Sequence, residues 1–413
     1  MDAINETLLD RTPTQGASLS STVINLSNCI IGAGVLTLAQ GLRNAGLALG
    51  VTLMFLVCSF SLISFAMLST CCDRTGRFSY KGVAKKIFGN KFGVVVEVLV
   101  LLYTASLSIS YVVLLGDFLP NISHYVFPDT WHPYFFDRTY LIIGLSILIL
   151  LPLSCLPKLD ALRFTSAAAI ACVVYLTFVV VYRFFTDSFP IPVPDTRGPI
   201  VYFNWSHTMF LAIPLMAVSF TAHYNVPDLY KELDKRSPGK FSKAALITCT
   251  FCFFLYVMVS VSGYLSFRGN TSGDILNNYD HNDVLAIIAR VGLTLTLSFS
   301  FPLVCFSIRS SIEAITLDEP EPNWIRQVIL ATVITVVSVT IAILEERIEV
   351  VLSLGGSSVG LMIGFTFPAL FYVKVGILPG EKFAGLKKFA GVFICVMGVV
   401  LTGFCTWVSA RQL

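Results

Sequence analysis

The sequence predicts an all-α polytopic membrane protein with eleven transmembrane helices, arranged as two five-helix halves of inverted topology plus one accessory helix. Three observations predict it. The chain has 413 residues, 55% hydrophobic and 13% charged, with a mean hydropathy of +0.78, where a soluble domain carries about a quarter charged residues. Apolar runs of membrane-spanning length recur from end to end. Lysine and arginine fall on alternate connections, as the positive-inside rule requires.

The spans read as 19–40, 46–70, 92–119, 139–157, 162–185, 206–228, 242–266, 283–312, 325–343, 349–373 and 389–409. The head is polar, no signal peptide precedes span 1, and that span is expected to act as an uncleaved anchor. Residues 1–18 are then a cytoplasmic tail, 19–409 one integral domain, and 410–413 a non-cytoplasmic end. With the N-terminus cytoplasmic, the inner connections collect 20 of the 28 basic residues, including every lysine, and the eight on the outer side are all arginines. The inner segment between spans 2 and 3 reads as a solvated basic loop, with a short amphipathic helix around 80–88 as the alternative reading. Sequons at Asn121, Asn204 and Asn270 fall in expected outer loops. Asn121 and Asn270 are candidate glycosylation sites, and Asn204 sits too near span 6. None of the eleven cysteines lies in an outer loop, which argues against an external disulfide. Cys71 and Cys72 read as reduced boundary residues.

Span 1 carries the most chemistry. Asn25, Ser27 and Asn28 precede Gly32-Ala33-Gly34, and glycine lowers the cost of unwinding a helix. A break inside a bilayer frees backbone groups that must find partners, and such breaks hold small polar solutes and ions near the midplane. Span 6 is interrupted in the same way by Pro214 and the polar run Ser219-Phe-Thr-Ala-His-Tyr-Asn-Val-Pro227. Paired breaks in spans 1 and 6 are what make spans 1–5 and 6–10 read as inverted halves. Asn25, residues Ile31 to Val35 (with Gly32, Ala33 and Gly34 between), Ser219, Phe220 and Thr221 are the candidate substrate residues. Neither wall carries an acid or base, so a charged substrate side chain would lack a partner. Asn28 offers a neutral carbonyl oxygen for Na⁺. In span 8, Thr294 and Ser298 share one face and Thr296 and Ser300 another. Thr294 and Ser298 are the candidate ion ligands, and back-bonding to the helix is the competing use of such hydroxyls. Gly355-Gly-Ser-Ser-Val-Gly360 in span 10 reads as a close-packing surface. His223 reads as a hydrogen-bonded interfacial histidine. Glu97, Asp117 and Arg290 lie toward span ends, where they pair or meet water.

Metalloprotease, Walker and metal-spaced cysteine–histidine signatures are absent, as is a potassium-filter motif. The chain does not read as an enzyme or a nucleic-acid binder. No cofactor is expected beyond a coupling ion.

Asn25-Leu-Ser-Asn-Cys-Ile-Ile-Gly-Ala-Gly-Val-Leu-Thr-Leu-Ala39 resembles the first helix of the amino acid/auxin permease family, nearest to its sodium-coupled neutral amino acid transporters and their vacuolar relatives. His223-Tyr-Asn-Val-Pro-Asp-Leu-Tyr-Lys-Glu-Leu233, Gly273-Asp-Ile-Leu-Asn-Asn-Tyr279 and Arg290…Pro302…Arg309-Ser-Ser-Ile-Glu313 resemble its later segments. The likeness runs from about residue 18 to 410. It implies the leucine-transporter fold and secondary transport of small neutral amino acids such as glutamine, alanine or asparagine. It implies Ile31–Val35 backbone contacts to the substrate and a sodium site at Asn28 and Ser298. Proton-coupled vacuolar or lysosomal export, and amino-acid sensing without transport, are the alternatives. The cysteines of an outer-loop disulfide found in many plasma-membrane relatives are missing, and the head is short. Endolysosomal or vacuolar membranes therefore stand beside the plasma membrane as expected locations.

Overall fold

A computed structural model describes residues 16–127, 137–156, 165–186, 189, 195–317, 323–377 and 384–411. The head, the junction of spans 4 and 5 with Lys158 and Arg163, Lys382 and residues 412–413 lie outside the described residues.

Span 1 is two helices, α1 (Leu19–Ile30) and α2 (Gly34–Ala45), bent by 58° at the Gly-Ala-Gly break. The Ser18 hydroxyl caps α1 by accepting the Ser21 amide. Span 2 is α3 (Leu47–Thr75), which stops at Gly76, a residue with φ 63°. α4 (Tyr80–Phe88) follows, so the connection read as a solvated loop is a helix. The reason is tertiary. Val83 and Ala84 are buried, and the Tyr80 hydroxyl donates to the Ile363 carbonyl at 2.5 Å.

α5 (Asn90–Val126) is span 3 and runs through Pro120, seven residues past the expected end. Span 4 is α6 (Arg138–Ser154), with a π-helical turn at Ser146–Leu150. α7 (Thr165–Phe185) is span 5. Span 6 breaks into α8 (Met209–Phe220) and α9 (Val226–Glu232). α10 (Pro238–Phe267), α11 (Val284–Thr316), α12 (Trp324–Leu344), α13 (Ile348–Val375) and α14 (Ala384–Ala410) complete the bundle. Among the described residues, nine helices are long and apolar enough to cross a membrane, and ten when the bent span 1 counts as one. The eleventh expected span, α6, is shorter.

Burial sorts the helices by role. In its most apolar stretch α13 is 83% buried and α8–α9 is 78% buried, against 28% for α12 and 22% for α14. Spans 6 and 10 are therefore central, and spans 9 and 11 present their faces to lipid. The span 10 glycines pack closely, as read. A Cβ on Gly355 would lie 2.3 Å from Ser106 Oγ, and one on Gly356 would lie 2.7 Å from the Pro214 carbonyl oxygen. Two π-helical turns, Gly356–Gly360 and Met362–Thr366, accompany them.

Candidate functional site: two broken helices and the cavity beside them

The two breaks meet. A Cβ added to Gly34 would lie 2.3 Å from Ser219 Oγ and 2.9 Å from Ser219 Cα. Only glycine allows α2 to approach α8 this closely. The Tyr256 hydroxyl of α10 reaches both breaks. It lies 2.9 Å from the Ile30 carbonyl oxygen and 3.1 Å from that of Ser219. It thus partners the last carbonyl of α1 and a carbonyl at the end of α8, the groups that helix breaks orphan. Phe220 packs edge-on against the Tyr256 ring.

At the span 1 break the Ile31 amide still donates to Ser27 at 2.7 Å. The amides of Gly32, Ala33 and Gly34 make no backbone–backbone hydrogen bond among the described residues. They form the N-terminal end of α2, where free N–H groups and the helix dipole favour an anion. A cavity of about 30 Å³ adjoins them, lined by Asn28, Ile31, Gly32, Ala33, Tyr111, Thr296 and Ser300 among others. It has room for a water or a bare ion and none for an amino acid.

The structure thus brings together Asn28, Ile31, Gly32 and Ala33 of the expected residues. Asn25 and Val35 lie outside the cavity lining. Ser219 and Thr221 form part of the facing break, but their hydroxyls donate back to Leu215 and Ala217 carbonyls at 2.8 and 2.6 Å. From span 8 the cavity takes the Thr296–Ser300 face. Ser298 is buried away from that lining, and the Thr294 hydroxyl donates to Arg290 O at 2.7 Å. Thr296 also back-bonds, to Gly292 O at 2.9 Å, which leaves its lone pairs available to a cation. Tyr256, Tyr111, Thr296 and Ser300 carry no signal that singles them out in an apolar run, except the i, i+4 spacing of the last two.

A larger cavity of about 320 Å³ lies toward the lysine-rich end, lined by Tyr224, Asn225, Asp228, Glu97, Ser310 and Ser311 among others. Its inner wall is the segment just after the span 6 break. His223 is fully buried there, which corrects the interfacial reading. It stacks on Phe65 at 4.1 Å, and its Nε2 is 2.8 Å from Ser64 Oγ.

The opposite, arginine-rich end is closed. Arg290 is fully buried and donates to the carbonyls of Leu276 and Tyr279, both at 2.8 Å. Arg43 donates to Thr271 O at 2.9 Å. Asp117 accepts from Asn277 at 3.2 Å and faces Arg138 at 3.8 Å. Asp274 caps the turn at Leu276, and burial, then the Asp117 charge, push its carboxyl up to about 8. Asn121 lies within α5 and donates to Asp117 O, whereas Asn270 is exposed and donates to Thr196 at 3.1 Å.

A span 1 bent at its middle and a span 6 interrupted beside it, packed against each other within a helical bundle, define a leucine-transporter-like membrane transporter. A solved structure agrees: a point mutant of the manganese transporter from Eremococcus coleocola matches with a TM-score of 0.52 at 13% identity, covering 97% of this chain and 98% of that one. At that identity the likeness shows the fold alone. The chain belongs to the family described as "Transmembrane amino acid transporter protein", whose model matches residues 15–411. It is 26% identical over 410 residues to "Sodium-coupled neutral amino acid symporter 2" of Danio rerio, covering 94% of this chain and 81% of that protein. It is 28% identical over 386 residues to "Amino acid transporter AVT6E" of Arabidopsis thaliana, covering 89% and 78%. The protein is a multi-pass membrane protein of an amino acid transporter family, not an enzyme.

Proposed function

We propose that the protein is a secondary active transporter of small neutral amino acids that works by alternating access and is coupled to Na⁺. The observation that carries this is the span 1 break. Three amides at the N-terminus of α2 that make no backbone–backbone hydrogen bond among the described residues suit a substrate carboxylate. Beside them lies an ion-sized cavity bearing the neutral oxygens of Asn28, Thr296 and Ser300. Na⁺ wants several oxygens with little net charge, which this set supplies. The walls of both breaks lack charge, which disfavours lysine and glutamate as substrates. The relative named for sodium coupling and neutral amino acids supports the same reading. In this reading the 320 Å³ cavity is the inward vestibule.

One observation favours proton coupling instead. His223 Nδ1 is buried with no hydrogen-bond partner among the described residues, beside Gly364 and next to the span 6 break. Purified protein in liposomes separates the two. Uptake of glutamine or alanine is expected to follow a Na⁺ gradient, and lysine should compete poorly. Thr296→Val should raise the Na⁺ concentration for half-maximal rate about tenfold, the cost of one lost ligand or hydrogen bond. Asn28→Ala should raise it further, and Ser298→Ala less. Full uptake in choline, driven by a pH gradient, overturns the sodium assignment. Binding without uptake or exchange of any amino acid overturns transport itself.

A further inference from the structure

Four cations converge on a surface groove of about 580 Å³ at the lysine-rich end: Arg77, Lys85, Lys86 and Lys231, with Ser79 among the other lining residues. All four are exposed. None of their side chains forms an ion pair or hydrogen bond among the described residues. No acid lines the groove. The nearby acids are committed elsewhere. Asp73 accepts the Tyr230 hydroxyl at 2.6 Å, and Glu232 has its own partner. Asp228 faces Lys231 but lines the vestibule instead.

The groove is built on anchored elements. Tyr80 ties α4 to span 10, and Val83 and Ala84 bury its inner face. That leaves Lys85 and Lys86 pointing outward on a fixed helix. Phe78 of the lining carries the Arg236 guanidinium 4.6 Å from its ring centroid. The groove's volume falls within the range of small-molecule sites. An arginine fork with three lysine point charges matches phosphate oxygens. α4 joins the ends of two spans, α3 and α5, so the groove lies at the membrane boundary, where basic pockets meet anionic headgroups.

We propose that this groove binds the phosphorylated headgroup of an anionic membrane lipid. The assignment does not depend on the transport reading.

The test uses purified full-length protein and a fluorescent short-chain phosphatidylinositol bisphosphate, read by anisotropy. Saturable binding is expected. The combined Lys85→Gln, Lys86→Gln and Lys231→Gln variant should bind on the order of a hundredfold more weakly, since each cation near the surface counts separately. A control variant with Lys240→Gln, Lys243→Gln and Lys374→Gln removes equal charge outside the groove and should keep wild-type affinity. Arg77→Gln alone should lose part of the affinity, which keeps the test sound if the triple variant melts early. No saturable binding, or equal loss in the groove and control variants, overturns the proposal. Competition by inorganic tripolyphosphate as strong as by unlabelled lipid also overturns it, in favour of a soluble polyphosphate.

Discussion

The two ends of the bundle use positive charge in opposite ways. At the arginine-rich end all eight arginines have a partner. Arg43, Arg138, Arg197, Arg268 and Arg290 each donate to at least one backbone carbonyl. Arg138, Arg183, Arg197 and Arg347 meet carboxylates, and Arg411 lies 3.8 Å from the Trp407 ring centroid. At the lysine-rich end Arg74, Arg309 and Arg326 are likewise held, but the side chains of Arg77, Lys85, Lys86 and Lys231 form no hydrogen bond or ion pair among the described residues. One end is stitched together, while the other keeps free charge on a groove that shares Ser79 with the 320 Å³ cavity. Residue chemistry accounts for only part of the division, since Arg77 is a free guanidinium among the described residues and Lys81 and Lys240 donate to the Ala314 and Asp234 carbonyls. A guanidinium fork satisfies several acceptors at once, whereas an ammonium is a compact, strongly hydrated charge.

The sharpest way to break the comparison is Arg290→Leu. It strips partners from the Leu276 and Tyr279 carbonyls and removes the counter-charge beside Asp274. Losing one partner of a buried charged set costs about 3–5 kcal/mol, so the melting temperature in detergent should fall steeply. An unchanged melting temperature would show that this end is not held by Arg290.

The next effect is a pH dependence. The Asp274 carboxyl is raised from its usual 3.8 to about 8 by burial. The stability it contributes is therefore fully present below about pH 4 and is lost as pH rises through about 8. Asp274→Asn keeps an acceptor for the Leu276 amide and should flatten melting temperature against pH over that window. Parallel wild-type and variant curves would assign the dependence elsewhere.

Tyr256→Phe should act more mildly and on the centre. It removes the one hydroxyl near both Ile30 O and Ser219 O, worth about 1 kcal/mol. Substrate KM should rise with little change in melting temperature, and an unchanged KM would separate the tyrosine from the site. The smallest effect is Arg347→Gln. Its pairing with Glu345 at 2.8 Å is exposed, and such pairs contribute little. No measurable change in melting temperature or uptake is expected, and a large loss in either would contradict this.

Much of this was legible in the sequence. Span positions follow from hydrophobic length, and the span 1 break from Gly32 and Gly34, which local chemistry alone makes costly in a helix. What stayed hidden depends on how helices rotate against one another. Thr294–Ser298 and Thr296–Ser300 are equivalent on paper, and only packing turned the second pair toward Asn28. α4 looked like a loop because its anchor, Ile363 O, lies 283 residues away. Tyr256 reads as one aromatic in an apolar run until two broken helices arrive at its hydroxyl.

The preference of the closed end for carbonyl acceptors has a further consequence. A backbone carbonyl does not titrate near neutral pH, carries no net charge for salt to screen, and cannot be removed by replacing a side chain. Five of the eight arginines rest at least partly on such acceptors. Environment therefore acts on closure mainly through the carboxylates at this end, which are Asp274 and the partners of Arg138, Arg183, Arg197 and Arg347. In the alternating-access cycle proposed above, the free energy that opens this end comes from what binds at the centre, where a bound solute changes how the broken helices stand against the backbone that the arginines grip.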